Sequence, residues 1–379
     1  MNSNTKKICL VATIPDVVHS FMKGHIRAAA KKWPVAVITN PDRAQLLQDL
    51  DARFIPLDIR RKVSPWRDLL VLIRLTQLFR RERFDLVHSI MPKTGLLAML
   101  AAMLTSVPVR MHTFTGQVWA NKRGCNRTAL RMFDRLIAAF ATHILVDSPS
   151  QRDFLVSEGV LKPGKGIVIG HGSICGVDAH QFHPDAQLSG MVRNELDIGA
   201  GQTVILFLGR LTRDKGMLDL AAAFADIAVR RPDVVLVLVG AEEDVPYARV
   251  REICGKYRDR LRRVDFTPDP QRYMAAADIF CLPSYREGFG QVIIEAAASG
   301  APAVASRIYG VTDAVEDGMT GLLFAAGDIA ALTRNLLTLI EDDALRHNMG
   351  KAARLRALEL FASGKITGEL VELYEKAMA

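Results

Sequence analysis

The feature that most constrains this chain is an alternation of short apolar, β-branched runs with segments of helical period. Such runs stand at residues 8–13, 35–39, 86–90, 109–114, 144–147 and 167–169, and helix-period segments at 21–31, 66–80 and 127–141 lie between them. Strands joined by helical crossovers can only pair in parallel, so the pattern predicts a parallel α/β sheet. It then breaks at Gly170-His-Gly-Ser-Ile-Cys-Gly-Val-Asp178, which is glycine-rich and aperiodic, and reads as a hinge. The alternation restarts with runs at 204–208, 234–239, 264–266, 279–282, 303–306 and 322–324 and a helix from about Met217. A chain of 379 residues exceeds what one core supports, so two Rossmann-like domains are expected, at 1–178 and 179–365. An amphipathic helical tail follows at 366–379.

With 49% hydrophobic and 24% charged residues, the chain has the balance of a folded protein, not of a disordered or fibrous one. Its five cysteines, Cys9, Cys125, Cys175, Cys254 and Cys281, are far apart and lack metal-ligand spacing, which reads as reduced thiols in a cytoplasmic protein. Met1 leads within a few residues into the apolar run at 8–12 with no signal-peptide core, so a first strand is expected there. The longest apolar stretch, 95–104, is about half the length that spans a bilayer. Charge is unevenly divided: residues 1–178 carry a net +13 and residues 179–379 a net −5. The basic half is therefore expected to meet something anionic, a membrane surface or a phosphorylated acceptor. No nucleic-acid-binding signature accompanies it.

Two constellations carry chemistry. In Phe207-Leu-Gly209-Arg210-Leu-Thr-Arg-Asp-Lys215-Gly216 an apolar strand ends in glycine and a basic loop feeds a helix. Ligands bind at the carboxyl edge of such sheets, and a helix start favours anions, so Arg210 and Lys215 suit a diphosphate. The alternative is a pair of solvated loop charges. In Pro283-Ser-Tyr-Arg-Glu287-Gly288-Phe289-Gly290-Gln-Val-Ile-Ile-Glu295 a strand again turns through glycine into a helix. Glycines there let backbone N–H groups approach a ligand, while Glu287 and Glu295 can accept hydrogen bonds from sugar and ribose hydroxyls. Here the alternative is a carboxylate stabilising a helix start, with Glu295 an ordinary surface residue.

Together Gly209-Arg210, Lys215-Gly216, and Glu287 and Glu295 seven residues apart resemble family 4 of the retaining glycosyltransferases, of GT-B fold. The agreement continues through Glu295-Ala-Ala-Ala-Ser-Gly-Ala-Pro-Ala-Val-Ala-Ser306, Asp317-Gly-Met-Thr-Gly-Leu-Leu-Phe324 and the hinge Gly-Val-Asp178 with Phe182 and Pro184. The resemblance implies two Rossmann-like domains facing across a cleft, the first binding acceptor and the second a nucleotide sugar, with the tail packed back on the first. It gives Arg210 and Lys215 to the donor diphosphate, Glu295 to the ribose, and Glu287 with the Gly288-Phe289-Gly290 backbone to the transferred sugar. Retention then proceeds through same-face attack on an oxocarbenium-like ion pair, with the two cations stabilising the leaving group, so neither metal nor other cofactor is required.

The first domain departs from the family twice. The loop after its first strand carries only Gly24 where many members have a glycine pair, and Gly24 is the donor contact carried over. In Met111-His112-Thr113-Phe114-Thr115-Gly116, Thr115 takes the place of the family's reaction-centre histidine and His112 stands three residues early; a catalytic role and a packed or capping one both fit His112. His19, His25, His88, His171, His180 and His183 show no metal-like pairing. Asp147-Ser148-Pro149-Ser150 reads as a helix cap. Arg123, Arg127, Arg131 and Arg135, four apart, share one helical face and suit either a lipid-linked acceptor at the membrane or a solvated surface. The resemblance extends to the branch that builds bacterial surface polysaccharides, O-antigen or capsule, on polyprenyl diphosphate, where UDP-N-acetylhexosamines are common donors. It implies work at the cytoplasmic face of the inner membrane. A sugar-nucleotide epimerase of the same architecture is the alternative; a nicotinamide dehydrogenase is disfavoured because no Gly-x-Gly-x-x-Gly follows a strand.

Overall fold

The computed structural model describes residues 5–60 and 64–379. Met1 to Asn4, where the reading of the N-terminus began, lie outside the described residues. The chain forms two compact units, Met1–Gly176 with Ser363–Ala379, and Val177–Ala362.

The first unit holds a seven-stranded parallel sheet of β1 (Ile8–Val11), β2 (Val35–Thr39), β3 (Arg53–Pro56), β4 (Leu86–Ile90), β5 (Val109–Phe114), β6 (His143–Val146) and β7 (Ile167–Val168). Their order is β3-β2-β1-β4-β5-β6-β7. Because side chains alternate along a strand, Ile8 and Leu10 enter a core with Ile26 and Tyr374, while Cys9 and Val11 enter the opposite core with Leu75, Phe79 and Trp119. The crossovers are α1 (Pro15–Val17), which runs through a π-helical turn at Val18–Met22 into α2 (Lys23–Ala30), then α3 (Pro65–Glu82), α4 (Pro92–Leu104), α5 (Gly124–Phe140) and α6 (Pro149–Ser157). Proline opens α1, α3, α4 and α6, where its missing N–H costs no helix bond, and the Ser148 side chain caps α6 by accepting from the Gln151 N–H at 3.1 Å.

The second unit has six parallel strands: β8 (Thr203–Leu208), β9 (Val234–Val239), β10 (Leu261–Val264), β11 (Ile279–Leu282), β12 (Ala303–Ser306) and β13 (Gly321–Phe324). They run in the order β10-β9-β8-β11-β12-β13. Helices α7 (Ala186–Glu195), α8 (Met217–Arg230), α9 (Tyr247–Cys254), α10 (Pro270–Ala275), α11 (Gln291–Ala298), α12 (Val311–Ala314), α13 (Ile329–Glu341) and α14 (Asp343–Leu360) cover both faces. The strand expected at 264–266 lies instead at 261–264, and β3, whose apolar run Phe54-Ile55-Pro56 is short and preceded by Arg53, was not among the expected strands. Both are sheet edges, covered on fewer sides than the central strands, so polar residues such as Arg53, Arg262 and Arg263 are tolerated there.

The last helix, α15 (Ser363–Met378), returns to the first unit and lies on α2. Its buried Tyr374 hydroxyl meets His88 Nδ1 at 2.6 Å, while the His88 Nε2 reaches the Thr113 hydroxyl at 2.8 Å. Thr367 hydrogen-bonds His25 at 3.0 Å, and Glu369 accepts from the Gly170 N–H at 2.7 Å.

Candidate active site

In the second sheet the strand order reverses between β8 and β11, and a parallel sheet opens a ligand crevice at the carboxyl ends of such a pair. The two sequence motifs leave the sheet there. The β8–α8 loop carries Arg210 and Lys215, and the β11–α11 turn carries Glu287. They approach so closely that a Cβ on Gly216 would lie 2.0 Å from the Pro283 carbonyl oxygen, and with φ at +69° only glycine fits. A Cβ on Gly310 would likewise meet the Gly288 carbonyl at 2.3 Å, which fixes the start of the glutamate turn from its other side.

Polar bonds stitch the two loops together. Lys215 Nζ donates to Glu287 Oε1 at 2.5 Å, and the Ser284 hydroxyl donates to the same oxygen at 2.7 Å. Arg286 Nε donates to Asp214 Oδ2 at 2.9 Å, and the Tyr285 N–H donates to the Asp214 carbonyl at 2.8 Å. Arg210 pairs with Glu243 from the loop after β9, with both side chains nearly half exposed. Such pairs contribute about 0–1 kcal/mol, so an incoming anion readily replaces the carboxylate. Both cations of the β8–α8 loop are thus paired with a carboxylate, Arg210 with Glu243 and Lys215 with Glu287.

Gly288, Phe289 and Gly290 are buried, and the Phe289 ring packs edge-on against Phe361 at 5.1 Å. The aromatic side chain anchors the turn in the core of this unit. On α11, Gln291 Nε2 donates to Glu295 Oε1 at 3.2 Å. Burial pushes the Glu295 carboxyl up to about 7, with the Gln291 hydrogen bond opposing it. Glu287 and Glu295 therefore stand at the turn and in the first helical turns of the same element.

The family model described as "Glycosyl transferase 4-like domain" matches residues 25–172, and "Glycosyl transferases group 1" matches residues 191–356. The capsular polysaccharide biosynthesis glycosyltransferase CapM of Staphylococcus aureus is 29% identical over 377 residues, 97% of each chain. The chain belongs to family 4 of the GT-B glycosyltransferases. An Escherichia coli UDP-Gal:alpha-D-GlcNAc-diphosphoundecaprenol alpha-1,3-galactosyltransferase is 29% identical to this glycosyltransferase over 329 residues, 85% of this chain and 83% of the relative. HepE of Anabaena, solved with UDP and glucose, superposes with a TM-score of 0.83 at 21% identity, covering 98% of this chain and 100% of that one, a likeness of fold.

The glycosyltransferase's first unit places its motif residues differently. His112 lies on β5 with no exposed surface, its Nδ1 2.8 Å from the Ser89 hydroxyl and its ring edge-on to Phe114 at 4.7 Å. Gly95 of α4 leaves room for it, since a Cβ there would come within 2.4 Å of the ring. Burial pushes the imidazole down to about 3, so it is neutral throughout the physiological range, and its Nε2 has no hydrogen-bond partner among the described residues. Gly24 sits in the first turn of α2, exposed, with Thr367 of α15 nearest to where its Cβ would be.

The arginine stripe is a packed face. Arg127 and Arg131 both close on Glu158 at the end of α6, at 2.5 and 2.8 Å, and Arg135 donates to the Gly159 carbonyl at 2.8 Å. Burial pushes the Glu158 carboxyl up, but the hydrogen bonds from Arg131 and Arg127 outweigh it and hold the group below the usual range. Arg123 alone of the four is exposed with no partner among the described residues.

Residues the sequence did not single out include Glu243, Ser284 and Asp214, the partners that tie the clamp together. Asp147 is another: buried at the end of β6, it has one oxygen without a hydrogen-bond partner among the described residues, and burial pushes it up to about 8. Its place before Ser148 hid it as part of a helix cap. Among the described residues no three His, Cys, Asp or Glu side chains stand together in a metal-holding group, and no helix is long and apolar enough to cross a membrane.

Proposed function

We propose that the chain transfers a sugar, with retention, from a UDP-sugar such as a UDP-N-acetylhexosamine to a polyprenyl-diphosphate-linked glycan during surface-polysaccharide synthesis at the cytoplasmic face of the membrane. The observation that carries this reading is the contact of Lys215 with Glu287, which joins the phosphate-binding loop to the sugar-facing turn. In the reaction the donor's diphosphate takes over Arg210 from Glu243 and Lys215 from Glu287. The C–O bond between the anomeric carbon and the diphosphate breaks as its negative charge grows against the two cations, which supply this stabilisation without a metal. The acceptor hydroxyl forms the new C–O bond on the face the diphosphate leaves, and its proton passes to the departing phosphate oxygen. Glu287, released from Lys215, accepts hydrogen bonds from the sugar, and Glu295 holds the ribose diol. The polysaccharide reading is supported by the activities of the capsular and diphosphoundecaprenol-dependent relatives.

Thermal-shift screening of nucleotide sugars with EDTA present, followed by transfer assays on a polyprenyl-diphosphate-linked sugar, tests the proposal. UDP-sugars should stabilise the chain and the lipid-linked acceptor should gain one sugar. Donor alone should yield no epimer. Stabilisation abolished by EDTA, or epimerised donor without acceptor, contradicts it.

A further inference from the structure

Helix α3 carries apolar residues on two faces. Val71, Leu75 and Phe79 are buried against the sheet. On the opposite side Trp66, Leu69, Leu70 and Ile73 follow the i, i+3, i+4, i+7 spacing of a single stripe, yet they are 79%, 45%, 55% and 43% exposed. Such a stripe on a water-facing helix is costly unless something covers it. Arg67 and Arg74, one heptad apart, flank it, and Arg80 extends it. All three are exposed and have no partner among the described residues. The helix is also held firmly. Asp68 accepts from the Ser64 N–H at 3.0 Å and pairs with Lys93 of α4 at 2.6 Å.

We infer that this outer face of α3 is the surface by which the protein lies on an anionic lipid bilayer, Trp66, Leu69, Leu70 and Ile73 entering the headgroup boundary and Arg67, Arg74 and Arg80 meeting lipid phosphates. Charge complementarity selects this occupant over a second copy of the chain, whose matching face would bring the same unpaired arginines together. Arg127, Arg131 and Arg135 of α5, by contrast, are satisfied by Glu158 and the end of α6. The inference rests on the proposed lipid-linked acceptor and specifies where the protein meets the membrane that carries it.

Flotation with phosphatidylcholine vesicles, with and without phosphatidylglycerol, tests it. Wild-type protein should float with the anionic vesicles, and less so as salt rises. Trp66→Ser/Leu70→Ser/Ile73→Ser and, separately, Arg67→Glu/Arg74→Glu/Arg80→Glu should each reduce bound protein at least tenfold. Because these side chains are exposed, both variants should keep wild-type melting temperature and UDP-induced stabilisation. Trp66→Phe should still float but lose most of the blue shift in tryptophan emission that vesicles induce. Wild type that floats with neither vesicle, variants that float as well as wild type, or a wild-type dimer that the serine variant breaks, each overturns the inference. Loss of UDP stabilisation in the wild type would instead sink the donor-site reading.

Discussion

At the residue scale, Lys215 and Glu287 neutralise each other across the two loops. Glu287→Gln removes the anion from Lys215 without removing a hydrogen-bonding group. UDP should then bind as well as, or better than, before, while turnover falls at least tenfold; calorimetry beside initial rates measures the split. Lys215→Ala should weaken UDP at least about tenfold, the size of one charge-assisted contact. Glu295 gives a pH signature. Its carboxyl rises from 4.5 to about 7 in the folded chain, so between those values the folded state holds a proton the unfolded state has released. That stabilisation is complete below pH 4.5 and is lost as pH rises through 7. With ionised Glu295 as the proposed acceptor for the ribose diol, UDP affinity should climb across the same upper range, and Glu295→Gln should flatten both dependences. Arg210, Lys215, Glu287 and Glu295 were singled out because their types and spacings are local, and the structure brings Lys215 and Glu287 together. Glu243 lies 33 residues from Arg210, and Glu287 lies 72 from Lys215, so these pairings become visible only once the sheet order is known.

Among elements, the central strands were legible because strands covered on both faces need near-continuous apolar runs, as at Val234–Val239. Of the edge strands, Arg53–Pro56 escaped and Leu261–Val264 was expected a few residues late, because an edge tolerates charge. Helical periodicity could not tell the two basic helices apart either. In α5 Arg127 and Arg131 close on Glu158, whereas in α3 Arg67, Arg74 and Arg80 have no partner among the described residues and stand beside exposed apolar side chains, a difference set by what α6 brings alongside. The contact of Gly216 with Pro283 also belongs to this scale, because it holds two loops together. Gly216→Ala should cost more than about 2 kcal/mol from the left-handed backbone and the clash combined, and should weaken UDP by shifting Lys215. An unchanged melting curve would show that the loops stand further apart. Likewise Tyr374→Phe, which takes a buried partner from His88, should lower the melting temperature by about 2–4 °C through the loss of roughly 1 kcal/mol.

Over the whole molecule, the two halves of the sequence differ in charge by composition, +13 for residues 1–178 against −5 for 179–379. That asymmetry was legible, but its distribution was not, since much of the positive charge in α5 is spent on internal pairs. A clamp of two cations and two carboxylates acting on a nucleotide sugar as proposed leaves the anomeric configuration unchanged by transfer. Proton NMR of the product made from an α-configured UDP-sugar and a polyprenyl-diphosphate-linked acceptor reads this out. The expected product is α-linked and forms in EDTA, with its anomeric coupling like that of the donor; a β-linked product rules out same-face attack at this site.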